Sequence, residues 1–511
     1  MTPHGALVLI GFMGAGKTTA ALQLGVDREL RVSDVDQLIE ARAGAAISEI
    51  FARDGEPAFR ALEEEVVCEL LAKAGHRDVV ALSGGAITSE RVRAKLASHV
   101  VLWLELDAEL AWRRVGGGRR PLARERDEFD ARHLARAPLY AELADAIAPA
   151  GFRAPLGRVH DAIEQLRQAP AGTRLLWAVS ASAEYPVWVG RGLLGSGVWP
   201  IARPQSRRFC VTDEHVAPLW LEAAGELDGS IVVAAGETSK SLEEAGAIWR
   251  QLARAGVTRA DHLVALGGGV VGDLAGYCAA AYQRGVPVVQ VPTTLAAQVD
   301  SAYGGKTGVD IPEGKNYVGA FHQPAGVLVD PATLATLPAV ELNAGYAEVI
   351  KTALIAGGSL WERIQADAPI DDAVIFDCAR CKLAIVGEDE HDGGRRQLLN
   401  LGHTVGHALE TVTEYRRYRH GEAVALGLLA ALDLSEQEDL REQVAELLAA
   451  HGLPTRAEGV DRAAVARATR RDKKRVGESV PFVLVDAPGA VRHGAAVSSQ
   501  RLEAALARLC A

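Results

Sequence analysis

Residues 7–24 read LVLIGFMGAGKTTAALQL. The four apolar residues Leu7 to Ile10 have the length and composition of a buried parallel strand. They run into Gly11-Phe-Met-Gly-Ala-Gly16-Lys17-Thr18, a G-x4-G-K-T loop, and then into a helix-forming segment. That strand–loop–helix context makes the N-terminal part a P-loop α/β domain, a parallel sheet with helices on both faces. Glycines let backbone N–H groups converge on phosphate oxygens at a helix N-terminus, where the dipole also favours anions. Gly14, Gly16, Lys17, Thr18 and Thr19 are therefore the candidate ATP contacts, with Lys17 offsetting phosphate charge and Thr18 ligating Mg2+.

Further along, residues 262–276 read HLVALGGGVVGDLAG. This places Gly267-x-Gly269-x-x-Gly272 between a strand and a helical run, a dinucleotide-type signal. The acid expected about 20 positions later in the Rossmann layout is not evident. Asp213 in VTDE, with Glu237 and Lys240 in GETSK, are alternative partners for the adenosine half. Between the two loops, RQAPAGTR (167–174) has linker composition. Domains are expected at 1–165, 176–335 and 336–511, with a linker at 166–175. In the second, short β-branched runs alternate with helical segments, as in an α/β nucleotide-binding domain. The third is Ala/Leu/Glu-rich and reads as mostly α-helical.

The chain has 511 residues and a mass of 54.1 kDa, enough for about three domains at roughly 150 residues each. Its formal charge of −11 argues against affinity for nucleic acid based on phosphate neutralisation. No apolar run approaches the roughly 20 residues needed to span a bilayer, and the first residues do not read as a signal peptide. Six cysteines are sparse for this length and suggest no disulfide framework. Cys378 and Cys381 form a lone CxxC, read as small apolar residues on a helix face. The expectation is a cytoplasmic protein with no nucleic-acid or membrane partner.

LNLGHTVGHALE (399–410) places His403 and His407 at i,i+4 on one helix face, about 5–6 Å apart. AGYAEVIK places Glu348 and Lys351 at i,i+3 on another helix, and RHGEAV adds His420. Three ligands of N,N,O type with a fourth position open describe a catalytic zinc site. The candidates are Glu348, His403, His407 and His420. Spacing alone points first to the two histidines of one helix.

Over residues 5–165 the sequence resembles shikimate kinase. The resemblance rests on the P-loop, Ser33-Asp34-Val35-Asp36, GEPAFRALEEE, VVALSGGA, GGGRRPL and ARAPLY, in that order. It implies that Asp34 helps hold Mg2+ and that Asp36 orients the acceptor and takes its hydroxyl proton. Arg60 and Arg136 would grip the shikimate carboxylate, with Glu63 holding Arg60 and with Gly84 and Gly85 admitting the ring. Arg120 would be the lid cation and Arg114 would pack on adenine. Ser83 stands where the family has a third glycine, so its hydroxyl is expected to narrow the pocket or bond to substrate.

Over residues 176–490, QVPTTLAAQVDSAYGGKTGVDIPEGKNYVGAFHQP and the GGGVVGDLAG, AGYAEVIK, LNLGHTVGHALE and HGEAV segments resemble 3-dehydroquinate synthase. The resemblance implies Zn2+ or Co2+ held by Glu348, His403 and His420, with His407 catalytic beside the substrate phosphate. Lys315 would face that phosphate. Asp300, Lys306, Asn316, Lys351, Lys382 and Arg396 would hold the hydroxyls and carboxylate. NAD+ would lie against Asp213, Glu237, Lys240, Gly268, Gly269, Asp273, Thr293 and Thr294. Arg284 would reach the phosphate across a subunit interface, implying a homodimer. Asp392 stands where glutamate is commoner, and Asp472-Lys473-Lys474 resembles a family lysine pair near the substrate.

These features imply a bifunctional enzyme of aromatic amino-acid biosynthesis. It would phosphorylate shikimate with ATP, and cyclise 3-deoxy-D-arabino-heptulosonate 7-phosphate to 3-dehydroquinate with phosphate release. The competing expectations are another sugar-phosphate cyclase or a polyol dehydrogenase for the C-terminal half, and a non-catalytic ATP-binding regulatory module for the N-terminal half.

Overall fold

The computed structural model describes residues 5–116, 122–123, 125–201, 206–469 and 481–510. The chain divides into two compact units, Met1–Ala178 with Glu184–Trp199, and Val179–Ala183 with Pro200–Ala511.

In the first unit seven strands lie in the order β2-β3-β1-β4-β5-β6-β7. They are β1 (Leu7–Ile10), β2 (Arg31–Asp34), β3 (Asp78–Ala81), β4 (Val100–Glu105), β5 (Ala146–Pro149), β6 (Arg174–Val179) and β7 (Glu184–Val189). The helices are α1 (Lys17–Arg28), α2 (Val35–Ala43), α3 (Ile47–Leu71), α4 (Glu90–Leu96), α5 (Ala108–Val115), α6 (Arg126–Leu143) and α7 (Leu156–Leu166). Pairing from β2 to β6 is parallel, and β1, β3 and β4 are almost wholly buried, as continuous apolar runs require. Strand β1 lies between β3 and β4, so the chain leaves it to either side. The crevice at the strands' carboxyl ends is where such sheets bind ligands. Gly55 (φ 80°, ψ 170°) and Pro57 break α3, and the helix restarts with Arg60 and Glu63 on its first turns.

The linker expected near residue 170 corresponds to the short connection from α7 to β6. Strand β6 then pairs in parallel with β5, and the compact unit runs on to Trp199.

In the second unit a five-stranded parallel sheet has the order β14-β11-β10-β8-β9. Its strands are β8 (Arg208–Asp213), β9 (Gly229–Val233), β10 (His262–Gly267), β11 (Val288–Pro292) and β14 (Gly326–Val329). A hairpin of β12 (Lys306–Ile311) and β13 (Gly314–Phe321) carries several predicted substrate residues. Helices α8 (Ala217–Trp220), α9 (Leu242–Arg254) and α10 (Gly269–Ala281) accompany the sheet. Ile248 and Leu252 of α9 and Leu274, Ala275 and Cys278 of α10 pack with Val211, Leu263 and Val288 in one buried cluster.

The remainder is helical, as read from composition: α11 (Ala339–Ala356), α12 (Gly358–Gln365), α13 (Asp372–Glu388), α14 (His403–Val412), α15 (His420–Leu434), α16 (Glu438–Ala450), α17 (Arg462–Thr469) and α18 (Ser499–Leu509). One hairpin, β15 (Pro481–Ala487) with β16 (Ala490–Ala496), interrupts it. Helices α11 and α15 are buried nearly all round, which explains their unbroken apolar runs. Gly421 sits where any side-chain carbon would overlap the Ala344 carbonyl, so glycine lets the first turn of α15 lie on α11. Among the described residues no helix is long and apolar enough to cross a membrane.

Candidate functional sites

In the N-terminal unit, Gly14 and Gly16 have φ of 84° and 85°, a left-handed backbone that a side chain would strain. They turn the chain into α1, which begins at Lys17. Lys17 Nζ donates to the Gly11 and Phe12 carbonyls at 2.8 and 3.2 Å, folding back over the loop. Thr18 Oγ1 donates to Asp34 Oδ2 at 2.5 Å. A hydroxyl and a carboxylate brought together at a P-loop suit a hard cation such as Mg2+. Thr19 follows on the first turn of α1, and Asp36 lies exposed on the first turn of α2. Arg114 Nη1 donates to the Gly14 carbonyl at 2.9 Å, bringing it to the loop. Arg120 lies outside the described residues.

The predicted carboxylate grip is drawn together around Gly84 and Gly85. Arg136 is buried and donates to the Gly84 carbonyl at 3.0 Å, where Tyr140 also donates at 2.6 Å. A side chain at Gly85 would collide with the Arg60 guanidinium. Glu63, 2 % exposed, pairs with Arg60 Nη1 at 2.7 Å. Burial, assisted by Arg60, lowers the Arg136 pKa, whereas Arg60 is paired with both Glu56 and Glu63. The Ser83 hydroxyl donates to Glu63 Oε1 at 2.5 Å. It therefore braces the Arg60–Glu63 pair, a role that the expectation of a direct substrate contact did not include.

In the C-terminal unit, Gly268 caps α10 and Gly269 begins it, directly after β10. Asp213, at the end of β8, accepts from the backbone N–H groups of His215 and Val216 at 2.9 Å. Glu237 lies 2.8 Å from Lys240 Nζ and 3.1 Å from Lys315 Nζ. Lys240 Nζ also lies 3.4 Å from Asp273. Burial pushes the Asp273 carboxyl up to about 6, with Lys240 opposing. Thr294 accepts the Ala297 N–H at 3.3 Å, and Thr293 is buried with its hydroxyl unpaired. Glu237 and Asp273 thus meet at Lys240 from neighbouring elements, while Asp213 is held by its own turn.

Asp300 lies 2.5 Å from Lys382 Nζ and 3.4 Å from Lys351 Nζ. Burial works against its charge, yet the two lysines hold its pKa below the usual range. Burial, with Lys351 and Arg396 adding repulsion, brings Lys382 down to about 8 although Asp300 favours its charge. Arg396 is buried and donates to the Glu390 and Gly304 carbonyls. Lys306 Nζ pairs with Asp392 at 2.6 Å, so Asp392 faces a lysine in this arrangement. Asn316 has φ 55° and its N–H donates to Asp310 at 2.8 Å. Arg284 is exposed on a turn where it and Gln283 both have positive φ, 67° and 48°. Asp472, Lys473 and Lys474 lie outside the described residues.

Glu348 of α11, His403 of α14 and His420 of α15 bring one ligand atom each to within 4.8 Å of one another. Glu348 is 1 % exposed, and neither carboxylate oxygen has a hydrogen bond of good geometry, although Lys351 Nζ is 2.5 Å away. Burial opposes its charge, but Lys351 and the two imidazoles hold its pKa well below the ordinary value. Burial pushes His403 down to about 3, leaving it neutral, with Nδ1 3.1 Å from the Leu401 carbonyl. Burial opposes the charge of His420, but Glu348 and Glu410 raise it to about 10, so its ring is charged until a cation displaces the proton. A buried, ionised carboxylate converging with two imidazoles is a donor set that fits Zn2+ or Co2+. His407 stands one turn along α14, its ring 5.3 Å from that of His403. A third member of that helix, Glu410, completes a second group with His407 and His420. Its signal in the sequence was an acid at i+3 from His407 in an otherwise apolar stretch.

Cys378 and Cys381 lie on α13, and burial raises both thiols, Cys381 to about 11. All six cysteines are free.

Family models for the 3-dehydroquinate synthase N-terminal and C-terminal regions match residues 230–344 and 345–475, and that for shikimate kinase matches residues 13–167. The 3-dehydroquinate synthase of Halorhodospira halophila is 42 % identical over 333 residues, covering 62 % of this chain and 94 % of the relative. That of Acidithiobacillus ferrooxidans is 46 % identical over 322 residues, covering 59 % and 88 %. A solved 2-epi-5-epi-valiolone synthase from Streptomyces hygroscopicus, with NAD+ and Zn2+ bound, is 26 % identical with a TM-score of 0.59, covering 65 % of this chain and 99 % of that one. A 2-deoxy-scyllo-inosose synthase structure with NAD+ and Co2+ shares the fold at 23 % identity and a TM-score of 0.58, with coverage of 65 % and 99 %. The chain belongs to the 3-dehydroquinate synthase family and carries a shikimate kinase at its N-terminal end, a phosphate-eliminating lyase and a phosphotransferase in one polypeptide.

Proposed function

We propose that the two activities are carried by two separate sets of side chains. In the kinase unit, Gly14, Gly16, Lys17, Thr18 and Thr19 hold ATP, and Thr18 and Asp34 hold its Mg2+. Arg60 and Arg136 grip the shikimate carboxylate as guanidinium forks. That fixes the ring so that Asp36 can take the proton of the acceptor hydroxyl. Lys17 and Arg120 offset charge on the phosphoryl group in flight, a contribution made almost wholly by position and electrostatics. The observation that carries this reading is the Ser83–Glu63–Arg60 brace beside buried Arg136.

In the synthase unit, Glu348, His403 and His420 hold a divalent cation, zinc or cobalt. Asp213, Glu237, Lys240, Gly268, Gly269, Asp273, Thr293 and Thr294 hold NAD+. When bound, the cation supplies Lewis-acid polarisation of a substrate oxygen and the dinucleotide a reversible acceptor of hydride. The chain's own residues do the rest. Lys306, Lys382, Arg396 and Asn316 bind the carboxylate end and hydroxyls of 3-deoxy-D-arabino-heptulosonate 7-phosphate. Lys315 and His407 face its phosphate and take up the negative charge of the leaving group. Lys351, buried between Asp300 and Glu348, holds a proton where charge develops on substrate oxygen. The observation that carries this half is the convergence of Glu348, His403 and His420 from three helices.

The synthase works as a homodimer in the cytoplasm, with exposed Arg284 presented to the phosphate site of a second copy. The test of the two-site reading is a pair of substitutions assayed for both reactions. Lys17→Ala is expected to abolish shikimate-dependent ADP formation and leave phosphate release from the heptulosonate unchanged, and His403→Ala to do the reverse. Loss of both activities from either change would overturn it. Wild-type protein that binds ATP but forms no ADP with shikimate would make the N-terminal unit a regulatory module instead.

A further inference from the structure

Two donor groups overlap in the C-terminal unit: Glu348 with His403 and His420, and His407 with Glu410 and His420. They share His420. A cation-bound imidazole gives the lone pair of one ring nitrogen and keeps its proton on the other, so His420 can serve one of the two groups and must place its proton toward the other. The two nitrogens face different carboxylates. Nε2 is 3.3 Å from Glu348 Oε1, and Nδ1 is 3.3 Å from Glu410 Oε1.

Glu410 is 3 % exposed, on the helix that carries His403 and His407. Lys315 Nζ lies 3.8 Å from it, and the same ammonium reaches Glu237 at 3.1 Å. Glu410 thus stands between an imidazole assigned to the cation and a lysine assigned to the substrate phosphate.

We infer that Glu410 is a positioning residue that accepts the Nδ1 proton of His420 and so fixes the tautomer whose Nε2 lone pair faces Glu348 and His403. A carboxylate in this place orients the ring and raises the basicity of the ligating nitrogen. Its contact with Lys315 also ties the spacing of the cation site to that of the phosphate site. The inference rests on the reading of Glu348, His403 and His420 as cation ligands. It excludes a second cation among His407, Glu410 and His420.

The test is Co2+ binding to the full-length chain, stripped with a chelator and titrated against a competing chelator while the visible absorption of Co2+ is recorded. The parent chain is expected to take one Co2+. Glu410→Ala is expected to weaken binding by about 10- to 100-fold and to change the absorption, the range typical of lost outer-shell partners. Glu410→Gln keeps an acceptor oxygen and is expected to lose less. The shikimate kinase rate of each preparation is expected to stay at the parent value, a check on the chain's integrity. Parent-like affinity in Glu410→Ala overturns the inference. So does equal loss in both variants, which would assign the effect to charge alone. A second Co2+ in the parent that Glu410→Ala removes would make Glu410 a ligand. His403→Ala separates the inference from the reading beneath it: if that variant binds Co2+ as the parent does, the cation site itself is misassigned.

Discussion

Ser83 stands where the shikimate kinase pattern has glycine, and its hydroxyl is committed to Glu63 at 2.5 Å. Glu63 in turn holds Arg60 at 2.7 Å. A hydrogen bond to a charged group contributes about 1.5–3 kcal/mol, of which only part passes through Glu63 to the guanidinium. Ser83→Gly is therefore expected to raise the KM for shikimate by about three- to tenfold, with kcat and the KM for ATP little changed. Steady-state kinetics with each substrate varied in turn checks this. A lower shikimate KM in the glycine variant would mean that the hydroxyl obstructs the substrate. The sequence could show that a hydroxyl replaced a glycine, but the residue it turns to lies twenty positions away on another element. Glu410 was missed for the same reason: its partners, His420 and Lys315, come from a different helix and from a hairpin.

At the level of elements, the proposed cation site depends on the close approach of α11, α14 and α15. Gly421→Ala would drive a methyl group into the Ala344 carbonyl and push α15 off α11. Overpacking of this kind costs about 3 kcal/mol. The synthase is expected to fall to a small fraction of parent activity, with a lower unfolding temperature for the C-terminal unit and an unchanged kinase. Calorimetry with both assays checks it. A second element-scale constraint is Asp261, which accepts from Arg207 at 2.8 Å and from the Thr258 N–H at 2.7 Å, joining the entries to β8 and β10. Burial opposes its charge, but the Arg207 guanidinium and the Thr258 donors bring it down to about 2. A depressed carboxyl stabilises the fold above its unfolded value near pH 4, and that stability is lost as pH falls toward 2. After allowance for the partly exposed Arg207, Asp261→Asn is expected to cost about 1–2 kcal/mol at pH 6. The gap should close below pH 4 in denaturant titrations.

Much of this arrangement was legible because motifs bind local structure to local chemistry. The P-loop followed a four-residue strand, GxGxxG followed β10, and the His403/His407 spacing was helical. Spacing within one helix, however, favoured His403 with His407, whereas the possible ligand atoms that the structure draws together come from different helices: Glu348, His403 and His420 in one group, and His407, Glu410 and His420 in the other. Which helices cross is decided by close contacts such as Gly421 on Ala344, and those leave no periodicity in the sequence. The grouping of β6 with β5 is likewise a pairing between strands, invisible in the composition of the linker.

For the whole molecule, the dimer reading turns on Arg284, exposed on a turn with two consecutive left-handed residues. If it serves a partner's site, Arg284→Ala and His403→Ala chains are each inactive as synthases but complement on mixing. Random exchange then restores roughly a quarter of parent activity, since half the dimers are mixed and each has one intact site. Mixtures that stay inactive after exchange, or a parent that sediments as a monomer while active, would remove the dimer from the account. The central claim is that the C-terminal unit uses NAD+ without consuming it. The direct measurement follows inorganic phosphate and NADH together during turnover of 3-deoxy-D-arabino-heptulosonate 7-phosphate. Phosphate released in step with 3-dehydroquinate, with no net NADH, is the predicted result; NADH rising mole for mole with turnover would make the unit a dehydrogenase and contradict it.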